Sequence, residues 1–176
     1  FRRPCSAQSY CKNYRMNRTR RYAYLTTITI AAEPIDTPDA TLLLAELSSA
    51  LESITGNSGA SSFEAGEMAH PRACFAVARS IEGKAIGCGA IRPLNARTAE
   101  MKRVYARAPH SGVGGQIVAF LERKAVEFGF ESVVLETRVI NKKAVSFYLQ
   151  NGYVIIPNYG QYAGRDEAVC FEKQLT

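Results

Sequence analysis

The chain has 176 residues, of which 47% are hydrophobic and 22% charged, and this composition is typical of a single globular domain. It has no apolar run near the roughly 20 residues of a transmembrane helix, so we expect no membrane span. The net charge of +6 is uneven: seven of the 22 basic residues and none of the 16 acidic ones lie in residues 1–23. The near-neutral remainder argues against a nucleic-acid-binding surface.

The basic segment, residues 1–23, has no apolar periodicity. Its Arg-rich, acid-free composition is similar to that of a transit peptide. The preferred interpretation is a disordered leader or an added segment ahead of a natural start near Met16, and a nucleic-acid-binding arm is the weaker alternative. We therefore treat residues 24–176 as one domain and expect a cytoplasmic protein.

The domain is predicted to open with a strand and a helix. Residues 25–33 are rich in β-branched residues and alternate in polarity, which predicts a strand. The helix is predicted to begin after the N-cap Thr37, with Pro38 in its first position, and to end at Gly56.

A meander of three strands is predicted next. Residues 57–71 are polar and predict a loop, with a short helix around residues 63–68. The strands are predicted at residues 73–81, 85–94 and 98–107, the first two joined by a hairpin turn at Glu82-Gly83-Lys84.

Helices and strands alternate in the rest of the chain. A helix is predicted at 114–128, a strand at 131–139, a helix from the N-cap Asn141 to Gly152, and strands at 153–157 and 166–175. An antiparallel meander followed by alternating strands and helices predicts an α/β fold.

Cysteine and histidine residues indicate no metal site, because there is no C-x-x-C and no paired ligand spacing around His70 or His110. Neither histidine has a context that suggests a partner for a nucleophilic thiol. Three of the five cysteines lie in predicted strands and are expected to be buried and reduced: Cys74, Cys88 and Cys170.

The turn HSGVGG, residues 110–115, stands between a predicted strand and a predicted helix. Backbone N–H groups at such a helix start attract anions. The turn lacks the Lys and Ser/Thr of a Walker loop, and Ile117 stands where a dinucleotide fingerprint needs its third glycine. Taken alone, it fits a plain connection as well as a phosphate site.

With its neighbours, this turn resembles part of the GNAT superfamily of acyl-CoA-dependent N-acetyltransferases, in a bacterial subgroup. The resemblance rests on TAEMKRVYA, the G-V-G turn with FLERKA, VVLET and N-K-K-A-V-S-F-Y-L-Q-N-G-Y, and extends over residues 27–175. Pro109 departs from it, because the family usually carries Arg or Gln there. One phosphate contact is therefore expected to be lost, or to move to Arg107, His110 or Ser111.

The resemblance implies a mixed, mostly antiparallel central sheet of about six to seven strands, with helices on both faces. It implies acetyl-CoA as the acyl donor and no metal. The pantetheine arm would lie along the strand at Val104 and Tyr105, which must separate from VVLET, and Asn141 would reach the coenzyme or only cap its helix. The pyrophosphate would lie against the backbone N–H groups of His110, Ser111, Gly112, Val113, Gly114 and Gly115.

The implied reaction is direct attack of a primary amine on the thioester in a ternary complex. An alkylamine is about 99.9% protonated at pH 7, so a base is required. Glu100 is the first candidate, although it is equally expected to form only an ion pair with Lys102 or a neighbouring arginine; Glu136 is the alternative base. Tyr148 matches the family's general acid, and Phe147 is assigned to the core.

Strand alternation predicts that Glu100 and Lys102 share a face with Val104 and Ala106, opposite to Met101, Arg103 and Tyr105. A covalent route would need a cysteine, for which Cys88 is the candidate. A non-catalytic acyl-CoA-binding or regulatory module is the second hypothesis for the whole chain. The acceptor amine, a small molecule or a peptide, stays unnamed, and a homodimer is possible.

Overall fold

The computed structural model describes residues 28–60, 63–109 and 111–175, so residues 1–23 and His110 lie outside the described residues. The strands are β1 (Thr29–Ala32), β2 (Cys74–Arg79), β3 (Ala85–Pro93), β4 (Thr98–Ala106), β5 (Ser132–Arg138), β6 (Val154–Ile156) and β7 (Ala168–Gln174). The helices are α1 (Pro38–Thr55), α2 (Val113–Glu127) and α3 (Lys142–Gln150), with short 3-10 turns at Ala65–Ala69 and Gly160–Tyr162.

The strands form one sheet in the order β1-β2-β3-β4-β5-β7-β6. Every neighbouring pair is antiparallel except β4 and β5, which run parallel. Helix α1 packs on one face, where Leu43 joins Val77 and Cys88 in the core. Helices α2 and α3 pack on the other face, so the predicted mixed sheet with helices on both faces is confirmed.

Local signals set the helix ends where the sequence predicts them. The Thr37 hydroxyl accepts a hydrogen bond from the Ala40 N–H at 3.2 Å, and Gly56 ends α1 in the left-handed region at φ 70°. The Asn141 side chain accepts from the Ala144 N–H at 3.2 Å and so caps α3. Within the described residues, no helix has the length and apolar character needed to cross a membrane.

Strand β4 contains a β-bulge at Arg103, whose φ is 56°. The register with β3 slips there, because Cys88 pairs with Tyr105 whereas Ala90 pairs with Lys102. One inserted residue reverses the alternation of all that follow it.

The predicted faces of β4 are therefore wrong beyond Lys102. Val104 and Ala106 pack with Met101 against the α2 face, and Tyr105 packs on the α1 face. Glu100 and Lys102 do share a face, as the alternation predicts, because both precede the bulge.

Candidate active site

A cleft opens where β4 and β5 separate. The two strands pair at three positions, ending at Glu100 and Val134. Beyond that point they enclose a cavity of about 220 Å³. This is the separation that the resemblance implies for a pantetheine arm.

The cleft has two sides, which we call the helix side and the turn side. The helix side is formed by α3, which contributes Asn141 and Tyr148 to the lining. The turn side is formed by α1 and the segment 157–167, which contributes Tyr162. Glu136 and Arg138 line the turn side, because they alternate with Leu135 of the α2 face.

The start of α2 has the features of an anion site. Gly112 precedes the helix in the left-handed region at φ 81°, a conformation that glycine adopts at little cost. The Ser111 hydroxyl donates to the Ala108 carbonyl at 2.7 Å and accepts from the Val113 N–H at 3.4 Å. The N–H groups of a first helical turn have no partner within the helix, and they attract anions.

The next two glycines lie where α2 faces α3 and the residue that follows it. A Cβ at Gly114 would lie 3.4 Å from the Phe147 ring, and one at Gly115 would lie 3.5 Å from the Asn151 side-chain oxygen. Both distances are ordinary van der Waals contacts, so helix packing does not by itself require glycine at either position.

Tyr148 lies on the helix side, wedged between other rings. Its ring centroid is 5.7 Å from that of Tyr153 and 5.9 Å from that of Phe171. Phe147 and Tyr148 both pack against the core, but Tyr148 also lines the cleft. Burial raises the pKa of the Tyr148 phenol well above its usual 10, so the hydroxyl stays protonated at neutral pH.

Glu100 is a buried ion-pair hub with 2% of its surface exposed. One carboxylate oxygen accepts from the Arg92 guanidinium at 3.0 and 2.7 Å. The other accepts from the Tyr159 hydroxyl at 3.0 Å and lies 3.3 Å from the Lys102 ammonium. Arg92 also pairs with Glu67. The sequence left open whether Glu100 acts as a base or only forms ion pairs, and these contacts are those of an ion-pair residue.

Glu136 lines the turn side of the cleft. Burial raises the pKa of its carboxyl group, and the neighbouring positive charges of Lys102 and Arg138 partly oppose that rise. A carboxylate with a raised pKa in a cleft is a candidate general base. The sequence indicates this residue only as an alternative, since nothing local distinguishes its surroundings from those of Glu100.

Tyr105 and Arg107, near the glycine turn, both contact the α1 side of the sheet. The Tyr105 ring packs on the α1 face, so the structure does not bring that side chain to the cleft, whereas Val104 does line it. The Arg107 guanidinium donates to both oxygens of Glu46 at 2.9 and 2.8 Å. Arg107 is therefore already paired, which makes it a poor candidate for the phosphate contact that the resemblance leads us to expect at position 109.

Cys88 does not have the properties of a nucleophile. It is fully buried, its thiol donates to the Arg103 carbonyl at 3.6 Å, and burial raises its pKa to about 12. Cys74 and Cys170 are buried in strands as predicted. The described residues contain no group of three His, Cys, Asp or Glu side chains placed to hold a metal ion.

The chain is similar to one known protein family and to many solved structures. The family model described as "Acetyltransferase (GNAT) family" matches residues 43–153. The chain belongs to this family. Membership makes it an acyltransferase of the GNAT fold, and the family assignment made from the sequence is confirmed. A search of the curated proteins found no match.

Solved GNAT structures are similar over most of the chain. A Klebsiella pneumoniae protein assigned to the acyl-CoA N-acyltransferases is 27% identical with a TM-score of 0.72, covering 86% of this chain and 99% of its own. A GNAT acetyltransferase from Staphylococcus aureus is 14% identical with a TM-score of 0.67, covering 85% and 100%. One from Elizabethkingia anophelis, solved with acetyl-CoA bound, is 17% identical with a TM-score of 0.62, covering 84% and 98%.

Proposed function

We propose that this GNAT protein transfers an acetyl group from acetyl-CoA to a primary amine by direct attack in a ternary complex. The observation that carries the proposal is the cleft between β4 and β5, which is lined by both Tyr148 and Glu136. A proton donor on the helix side and a proton acceptor on the turn side are the two groups that the reaction requires.

The acyl donor would enter from the helix side. Its pyrophosphate would bind the backbone N–H groups of residues 111–115 at the start of α2, where the helix dipole favours negative charge. Its pantetheine arm would extend along β4 at Val104, beyond the last pair with β5. A backbone N–H near Val104 would polarise the thioester carbonyl. Asn141 lines the same cleft while its side chain caps α3.

The acceptor first loses one proton from its ammonium group to solvent. As the neutral amine nitrogen forms a bond to the acyl carbon, Glu136 would accept the second proton, directly or through water, and the carbon–sulfur bond breaks. The Tyr148 hydroxyl would protonate the leaving thiolate, and the proton held by Glu136 returns through solvent to the phenolate. Glu136 is preferred to Glu100 because both Glu100 oxygens are already engaged by Arg92, Lys102 and Tyr159.

The test is thiol release from acetyl-CoA in the presence of a panel of primary amines. We expect release that depends on the amine, and double-reciprocal plots that intersect, as a ternary complex requires. Parallel plots, or loss of turnover in a Cys88→Ala variant, would contradict direct transfer. Binding of acetyl-CoA without turnover of any amine would favour the non-catalytic module.

A further inference from the structure

The turn side of the cleft carries more cationic than anionic side chains. Two of its cations have protein partners. The Lys102 ammonium, on a side chain only 8% exposed, lies 3.3 Å from Glu100 and donates to the Tyr162 hydroxyl at 3.0 Å. The Arg103 guanidinium donates to the backbone carbonyls of Ser58 and Gly59 at 3.2 and 2.8 Å. Through these hydrogen bonds, the two cations of β4 link it to the neighbouring segments that form the wall of the cleft.

Arg138 and Arg165, which also line the cleft, are less completely paired. The nearest approach of Arg138 to Glu167 is 3.8 Å. The Arg138 side chain is 35% exposed, yet its Nε atom is buried and finds no acceptor among the described residues. Arg165 is exposed and makes no salt bridge with any carboxylate of the described part of the chain. Both guanidinium groups therefore have donors available.

These arginines lie across the sheet from the proposed phosphate site. Arg138 of β5 lies opposite Ala168 of β7 in the strand register, and Ala168 packs with Tyr162 on the turn side. Arg165 follows Tyr162 in the same turn, and its backbone N–H donates to the Tyr162 carbonyl at 3.1 Å. The start of α2 packs on the opposite face of the sheet. The two arginines thus face the space left for the acceptor rather than the coenzyme phosphates.

We infer that the acceptor carries a carboxylate close to its primary amine, with the amine at Glu136 and the carboxylate between Arg138 and Arg165. This inference rests on the proposed acetyltransferase function. A planar guanidinium matches a carboxylate through parallel hydrogen bonds. An acceptor whose only charges are ammonium groups, such as a polyamine, would bring a second cation against these arginines, which disfavours its binding.

The experiment compares acceptors that differ only in the carboxylate. α-Amino acids are assayed beside their carboxamides and beside the corresponding decarboxylated amines, with thiol release as the readout. We expect kcat/KM to be at least about tenfold higher for the carboxylates, the size of a lost charge-assisted contact. The carboxamide is a stringent control, because its amine has a lower pKa and is more often in the reactive neutral form.

The substitution Arg165→Gln tests the site itself. We expect the acceptor KM to rise about tenfold for the carboxylates, with kcat changed less than about twofold, and the preference over the carboxamide to disappear. The KM for acetyl-CoA should not change. Arg123→Gln is the matched control, because Arg123 is exposed on α2 and does not line the cleft.

The two proposals fail in different ways. Equal or better turnover of carboxamides, decarboxylated amines or diamines would overturn the carboxylate inference and leave acetyl transfer standing. If the preference for carboxylates is unchanged in Arg165→Gln, the assignment of the carboxylate to Arg165 is overturned, while acetyl transfer still stands. If acetyl-CoA binds but no amine of any charge is acetylated, the acetyltransferase proposal itself is overturned, and this inference with it.

Discussion

Glu100 and Glu136 lie on the same face of adjacent strands, yet their surroundings give them different roles. Glu100 is enclosed by Arg92, Lys102 and Tyr159, whereas Glu136 borders the cleft and its pKa is raised by burial. A raised carboxyl pKa stabilises the fold below the ordinary value of 4.5, and that contribution is lost as the pH rises through the folded-state value. The ionised Glu136 therefore costs stability at neutral pH.

In Glu136→Gln we expect kcat to fall by about 100-fold, as for the loss of a general base. We expect Tm at pH 7 to stay the same or rise. The acidic limb of the wild-type kcat–pH profile should lie above 4.5, because burial raises the Glu136 pKa. Steady-state kinetics and thermal melts measure both effects.

Glu100→Gln is the contrasting variant. It would leave the buried Lys102 ammonium without its carboxylate and Arg92 with Glu67 as its remaining partner, at a cost of about 3–5 kcal/mol. We expect a marked fall in Tm, measured by thermal denaturation. If Glu100→Gln kept its Tm and lost all activity, while Glu136→Gln stayed active, the assignment of the two carboxylates would have to be exchanged.

Tyr148 is the residue proposed to protonate the thiolate. The burial that keeps it protonated also makes it a weaker acid, since its pKa is raised above 10. We expect Tyr148→Phe to lower kcat by about 100-fold with little change in the KM for acetyl-CoA or in Tm, because the ring still packs on Tyr153 and Phe171. Full activity at every pH would show that another group supplies the proton.

At the scale of the element, the start of α2 depends on one backbone conformation. Gly112 has a φ of 81° and no atom within 4 Å of a Cβ placed there, so Gly112→Ala introduces strain without a clash. We expect a stability loss of about 1–2 kcal/mol and a raised KM for acetyl-CoA, because the first-turn N–H groups would be displaced. Chemical denaturation and initial-rate kinetics measure the two effects.

Gly129→Ala is the control for that variant. Gly129 lies after the other end of α2, has a φ of 78°, and likewise has no atom within 4 Å of the position that a Cβ would take. It should lose similar stability while keeping the wild-type KM for acetyl-CoA. A raised KM for acetyl-CoA in both variants would mean that the general loss of stability, rather than a local change in the glycine turn, weakens binding.

At the scale of the whole molecule, we expect the acyl donor to contact both β4 and β5 in the cleft where these strands separate. Strands β4 and β5 pair only up to Glu100 and Val134, so a ligand between them would add contacts that the unfolded chain lacks. A ligand at 100 times its Kd stabilises the folded state by about 2.7 kcal/mol. We expect a Tm increase of several degrees with acetyl-CoA, measured by differential scanning fluorimetry; no shift at millimolar acetyl-CoA would contradict a coenzyme site.

Much of the fold follows from short sequence signals. Thr37-Pro38 and Gly56 bound α1, Asn141 caps α3, and the Glu82-Gly83-Lys84 turn joins two paired strands. These signals are local, because a cap or a tight turn is decided by residues within a few positions of one another. For the same reason the glycine turn and the segment containing Tyr148 are recognisable from the sequence.

Other features depend on residues far apart in the chain. The bulge at Arg103 leaves no mark in the alternation of β4, yet it moves Val104 to the α2 face. Arg107 pairs with Glu46, which is 61 positions away. Likewise, nothing local separates Glu136 from Glu100, because burial and counter-charges are supplied by other elements.

The amino-acid sequence alone was sufficient for the family, the order of the elements and the position of the glycine turn before α2, since each rests on contiguous residues. The tertiary structure was needed to show which carboxylate borders the cleft and that Arg138 and Arg165 face its turn side. The physical reason is that charge balance and burial are sums over contacts between distant segments, and these contacts exist only once the sheet has formed.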